Sequence, residues 1–401
     1  MPVWHERTKE AREAGELALV GITEEQHPDR CELFAQWQSF DWPILWDPFN
    51  LTESSAVPVA IGIDEHGTVR DVGMSVDQFD EFMATSYDAT SAETRTSLGV
   101  RKEARGPRVV DASAALTPDQ ALSRLLWSTG DDGEALSAPD FEAAISALER
   151  LANQGDNPSA SFRLGVARRL RYDSSASVPE DFQVSLDLWM AALRRDPSQY
   201  IWRRRIQQWG PRLDKPYPFY GWIEQATKEI RERGDKPVEL RVSLTSSETS
   251  GRDPIRGGEA EVEHPDPERK VPRDADRWVS IDVAVVPHTG DGNNKNEARG
   301  AQVHLALRPS AKLEVHWGNE AGPTQIWIED AASSGLERKG FALPRPDALV
   351  SSEARSVDFT VGTSSSVQVL RGTAFYFVCE GRQGQCRFLA QDFEVAIASK
   401  Q

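Results

Sequence analysis

The chain has 401 residues, 39% of them hydrophobic, with 12 Trp and 15 Phe, so it can build real cores and is not a disordered polymer. Its 63 acidic residues outweigh 46 basic ones to give a formal charge of −17, which repels phosphate backbones and argues against a nucleic-acid partner. No apolar run approaches the roughly 18 residues of a membrane span, and 3 cysteines are too few for a disulfide framework.

The length exceeds one usual core, which predicts a multidomain chain. Three composition regimes follow one another: mixed α/β over 1–90, helical over 116–235 and all-β over 237–401, with "SAETRTSLGVRKEARGPRVVDASAA" (91–115) as a linker. The opening "MPVWHERTKEAREAGELALV" is a charged helical stretch, not the apolar core of a signal peptide. Soluble character is expected; the compartment stays open.

In the first region "ELALVGI" (16–22) is a buried-strand run. "HPDRCELFAQWQSF" follows as a helix, with Pro28 near its start and Leu33, Phe34 and Trp37 at helical spacing. "WPILW" (42–46) is a second strand, and "AVPVAIGIDEHGTVRDVG" (56–73) reads as strand, turn, strand, with Gly67 free to take positive φ. "SVDQFDEFMAT" closes the region as a helix. This order resembles the thioredoxin and peroxiredoxin-like (redoxin) fold over about 80 residues, and "AVPVAIGID" is similar to the segment that carries that fold's cis-proline, here Pro58. The resemblance implies that Pro58 shapes a substrate groove. The chain departs from the family in lacking the first strand and the Cys-x-x-Cys helix; "PVWHERTKEAREAG" is similar to the latter part of that helix. The domain is therefore expected to be N-terminally incomplete, with a gap between the strands of "LALVGI" and "PVAIGI". Cys31, beside Leu33 and Phe34, is expected to be a small buried hydrophobe rather than a reactive thiol.

In the helical region "FEAAISALERLANQGD" and "QVSLDLWMAALRRDPSQY" carry apolar residues at i, i+3, i+4 and i+7. The second, ending "AALRRDP", resembles the second helix of a tetratricopeptide repeat, with "FRLGVARRL" as its partner; three copies at that repeat's period are not found. Arg168, Arg169, Arg171, Arg194, Arg195, Arg203, Arg204 and Arg205 gather here, with Tyr200 and Trp202 among them. Solvated helix faces paired with acidic neighbours explain them better than an anion site or partner surface.

The last region alternates β-rich runs with Gly, Pro, Asn and Ser clusters, as a sandwich does, and 246–276 is expected to be a long mobile loop. "TAFYFVC" and "CRFLAQDFEV" flank the turn "GRQG". A hairpin centred on Arg382 and Gln383 sets Cys379 directly opposite Cys386, close enough to bridge, on a face shared with Phe375, Phe377 and Phe388. Such a bond closes a very short loop and stabilises little. Cross-strand bonds are also strained and reducible, which favours redox work over stapling. Glu380 would raise the thiol pKa of its neighbour, while Arg382 and Arg387 would lower it. "VHLALRPSAKLEVHWGNEAGPTQIWIE" followed by "FYFVCEGRQGQC" resembles the immunoglobulin-like N-terminal domain of the bacterial thiol:disulfide interchange protein DsbD. The matching pieces are His316 to Glu320, a proline three residues later and the late cysteine pair. That resemblance implies that Cys379 and Cys386 form the exchanging disulfide.

The leading expectation is thus a thiol–disulfide exchange protein, possessing a thioredoxin-like unit, a helical spacer and a DsbD-like β domain, with a protein thiol or disulfide as partner. The alternative is a non-catalytic interaction module with a plain structural bridge. A soft-metal site of Cys379, Cys386 and His316 is the weakest option; no metal and no cofactor is expected.

Overall fold

The structure is a computed structural model. It describes residues 2–88, 115–127, 136–207, 219–242, 244, 248, 262–287, 300–329, 331, 334–336, 338–343, 350–362, 369–381 and 386–397. Helices and several sheets are mixed along the chain, and its C-terminal part is β-rich. The expected linker at 91–114 lies outside the described residues.

The first unit holds α1 (Pro2–Glu13), α2 (Pro28–Gln38), α3 (Phe79–Ala84) and four short strands. Proline at the start of α2 loses no hydrogen bond there, and Ser39 ends the helix in the left-handed region at φ 54°. β1 (Gly21–Thr23) runs parallel to β2 (Ile44–Trp46), and β3 (Ile61–Ile63) pairs antiparallel with β4 (Val69–Val72). The two pairs are separate two-stranded sheets. The strand expected over 16–22 is only Gly21–Thr23. The β3–β4 turn closes as expected, with Gly67 at φ 78° and the Asp64 carboxylate accepting from the His66 and Thr68 amides.

The middle is helical: α4 (Pro118–Trp127), α5 (Ala138–Ala152), α6 (Pro158–Tyr172), α7 (Asp181–Arg195), α8 (Tyr200–Gln207) and α9 (Ile223–Glu232). Sequence chemistry sets the starts. Ser137 and Asp140 close a capping box on α5, and Asn157 Oδ1 accepts from the Ala160 amide to cap α6. α6 and α7 pack at Gly165, where an added methyl would meet Trp189 Nε1 at 2.6 Å. Their core of Phe162, Leu186, Trp189 and Trp202 also takes Phe49 from the first unit and Ala284 and Val286 from the β region. α2 packs on α9, where Trp37 stacks on Trp222 with centroids 5.9 Å apart.

The β region holds two antiparallel sheets. β5 (Val279–Pro287), β6 (Gly300–Pro309) and β11 (Arg355–Gly362) form one, in the order β11-β6-β5. The other runs β10-β7-β12-β8-β9, with β13 on β12: β7 is Val315–Gly318, β8 Gln325–Ile328, β9 Gly340–Ala342, β10 Val350–Ser351, β12 Val369–Glu380 and β13 Cys386–Ala396. Alternate residues of the two sheets share one core, Val303, Leu305 and Phe359 meeting Trp317, Ile326 and Tyr376. The far face of the smaller sheet meets α7, where the His304 ring stacks on Phe182 at 4.3 Å.

The expected loop at 246–276 is corrected in its described part. Residues 262–276 are irregular but pinned: the Asp274 carboxylate accepts from the Trp278 and Val279 amides and from the Tyr376 hydroxyl, and Ala390 N donates to Pro272 O. Carboxylates that satisfy turn amides order a segment without regular secondary structure. Residues 249–261 lie outside the described residues.

Candidate functional site

β12 and β13 pair without a slip from Val369↔Ala396 to Cys379↔Cys386. Direct opposition brings the two Cα atoms to 4.0 Å, and the cysteines form a disulfide. The two sulfurs differ in environment. Cys379 is 3% exposed, whereas Cys386 is exposed. β12 causes the difference: it lies inside the sheet, with β13 on one side and β7 on the other, while Cys386 begins an outer strand.

Gly318 and Gly322 let the chain after β7 lie close over the pair. A methyl at Gly318 would stand 3.1 Å from Cys379 Sγ, and one at Gly322 would stand 3.2 Å from the Phe377 ring. Phe377 in turn stacks on Phe388 at 4.4 Å, so the buried sulfur has an aromatic floor. Neither glycine stood out in the sequence, although the Gly-Asn-Glu-Ala-Gly run is a signal for close backbone approach.

His316 is directly opposite Cys379 on β7 and is half-buried. Its Nδ1 lies 3.0 Å from Trp317 O and its Nε2 2.9 Å from Gly381 O. Glu380 and Arg387 are opposite Val315 and Val378, core residues, so alternation turns both to the other face of the sheet. The Arg387 guanidinium lies over the Trp278 ring at 4.6 Å. Both side chains thus lie on the face away from the sulfurs, and residues 382–385 lie outside the described residues.

Pro58 is in the first unit, after a cis Val57–Pro58 bond. Val57 and Val59 beside it are 52% and 38% exposed. The loop before Pro58 is held by the helices: Phe49 is buried in their core, Arg163 donates to Phe49 O and Asn50 O, and Tyr200 N donates to Ser55 O. Pro58 and the cysteine pair share no sheet. Cys31 is half-buried, and burial pushes its thiol up, so it is a poor nucleophile.

The arginine cluster is less solvated than the sequence suggested. Arg171 holds Asp181 in a paired contact at 2.6 and 2.9 Å, and Arg168 reaches Glu149 and Asp181. Arg169 and Arg205 are each 2% exposed. Arg205 donates to Gln26 Oε1, Glu24 O and Pro48 O, tying α8 to the first unit. Beside it burial lifts the Glu24 carboxyl to about 7, while burial and Arg30, Arg169 and Arg205 hold the His27 ring well below its usual value.

Among the described residues no group of three or more His, Cys, Asp or Glu could hold a metal ion, and no helix is long and apolar enough to cross a membrane. No family model matches the chain, and no curated protein does. A solved structure, the "X-ray structure of Northeast Structural Genomics Consortium target SoR45", covers 31% of this chain and 92% of its own at 12% identity, with a TM-score of 0.20. A score that low carries no argument about fold or function.

Proposed function

We propose that the protein carries out thiol–disulfide exchange at Cys379 and Cys386, with a protein thiol or disulfide as its partner. The observation that carries this is the unequal exposure of the two bonded cysteines. Exchange needs one sulfur within reach of an attacking thiolate and one leaving sulfur held in place. Cys386 offers the first and Cys379 the second. A bridge between strands already held by a long hydrogen-bonded ladder adds little to the sheet as a staple.

In finer terms we read the first unit as thioredoxin-like, the middle as tetratricopeptide-like and the last unit as a DsbD-like sandwich, with boundaries near 91–115 and 235. The cis bond before Pro58, the close α6–α7 packing at Gly165 and the single core between two antiparallel sheets support that reading. Pro58 would then shape a groove for a partner polypeptide. A second reading, a non-catalytic interaction module, draws support from Ile22, Leu45, Ile61, Ile63, Val69 and Val72, apolar strand residues that are all at least 45% exposed.

Single-cysteine variants test the proposal. With Cys379→Ser, the exposed Cys386 should trap glutathione disulfide as a stable mixed disulfide. With Cys386→Ser, the buried Cys379 should react far more slowly. Equal trapping by both, or by neither, would remove exchange and leave the interaction reading.

A further inference from the structure

On the reading that the cysteine pair exchanges, we propose that His316 is its positioning residue: as imidazolium it clamps the turn after Cys379 and steadies the negative charge that Cys379 takes when the disulfide opens.

Register places His316 directly across from Cys379, on the same face of the sheet. The Cβ atoms of such a pair lie about 4.5–5.5 Å apart. Both ring nitrogens meet backbone carbonyls, Nδ1 that of Trp317 at 3.0 Å and Nε2 that of Gly381 at 2.9 Å. A neutral imidazole carries one N–H and meets one of them; an imidazolium carries two and meets both. Gly381 is a fixed point of the turn, since its amide donates to Glu314 O at 3.0 Å. The ring therefore holds Gly381, two residues after Cys379.

Two described charges next to the pair in the ladder are turned away from it. Glu380 and Arg387 belong to the opposite face, and Arg387 is engaged with Trp278. Glu314, exposed and in the left-handed turn just before β7, is a described carboxylate close to His316 in the chain. Among the described residues on the face between Phe377, Cys379, Gly318 and Cys386, His316 is the ionisable group besides the sulfurs.

The electron count is simple. A thiolate of an incoming dithiol attacks Cys386 Sγ; the sulfur–sulfur bond breaks and its electron pair stays on Cys379 Sγ, opposite the imidazolium. The second thiolate then attacks the dithiol's own sulfur in the mixed disulfide, and Cys386 leaves. The dithiol is oxidised by two electrons, the cysteines are reduced by two, and the protons that the dithiol gave up end on the cysteines.

The full chain and dithiothreitol suffice for the test. The rate of disulfide opening, corrected for thiolate concentration, should be higher at about pH 5.5 than at about pH 8. His316→Gln keeps a donor for Gly381 but no charge. It should open about tenfold more slowly at pH 5.5, the equivalent of one pK unit of lost charge stabilisation, and show no such pH profile. A flat pH profile in the unaltered protein, or identical profiles in both proteins, overturns this inference and leaves exchange standing. A disulfide that dithiothreitol leaves intact overturns the exchange reading and this inference with it.

Discussion

Arg205 of α8 donates to the side-chain carbonyl of Gln26 in the first unit, and both residues are buried, at 2% and 0% exposure. The same guanidinium also holds Glu24 O and Pro48 O, so three neutral acceptors from two loops converge on one cation. Each buried acceptor left without a donor costs about 1–3 kcal/mol. Arg205→Met should therefore destabilise the protein by about 3 kcal/mol or more, read from the urea midpoint. Amide exchange should rise at 24–27 and 47–52. A change below about 0.5 kcal/mol would mean that the contact is slack.

The Glu24 carboxyl gives that seam a pH dependence. Its pKa rises from 4.5 to about 7, chiefly through burial, with Asp47 adding to the rise and Thr52 and Arg205 opposing it. A group whose folded pKa exceeds its unfolded value stabilises below the unfolded value, and that contribution is lost as pH rises through the folded one. The contribution of Glu24 should thus decline between about pH 4.5 and pH 7, and Glu24→Gln should remove that part of the pH dependence. His27 has the opposite sign: its pKa is depressed by burial and by Arg30, Arg169 and Arg205, so its contribution is lost as pH falls below 6.5. Thermal melts across this range, as the difference between wild type and Glu24→Gln, isolate the Glu24 limb.

Gly165 is where α6 and α7 approach. An alanine methyl there would stand 2.6 and 2.7 Å from Trp189 Nε1 and Cδ1 and 3.1 Å from Ser185 O. Trp189 is fully buried and donates to Phe162 O, so it has little room to yield. Gly165→Ala should cost about 1–3 kcal/mol by overpacking, despite the gain in helix propensity of about 1 kcal/mol. A neutral or stabilising result in a urea melt would contradict this packing.

Gly318 offers a finer probe of the cysteine pair. Its Cα faces Cys379 Sγ so closely that an alanine methyl would stand 3.1 Å away. A free thiol can rotate from such a contact, and a bonded sulfur cannot. Gly318→Ala should therefore disfavour the oxidised form by about 1 kcal/mol, raising the reduction potential by about 20 mV. A lowered potential would count against the contact.

Cross-strand opposition of Cys379 and Cys386 was legible because hairpin register follows from turn length and a period of two. Alternation also held the position of Arg387 on the far face, a signal present in the sequence and not used there. The cis bond at Pro58 was legible only through the order of strands around it. Other features depend on partners remote in sequence. Arg171 and Arg205 look solvated in the sequence, yet both are buried beside Asp181 and Gln26. Phe49 reads as a loop residue, and only the packed helices make it core. The order of 262–276 comes from Asp266 and Asp274 accepting local amides, chemistry that composition alone reads as loose loop.

The reduction potential of the Cys379–Cys386 disulfide tests the central claim most directly. The full chain would be equilibrated against glutathione and dithiothreitol buffers, quenched by thiol alkylation and read by mass spectrometry. Exchange predicts a potential between about −270 and −120 mV, the span of thiol oxidoreductases. A potential below about −300 mV, as structural disulfides show, would make the bond a staple and contradict the account.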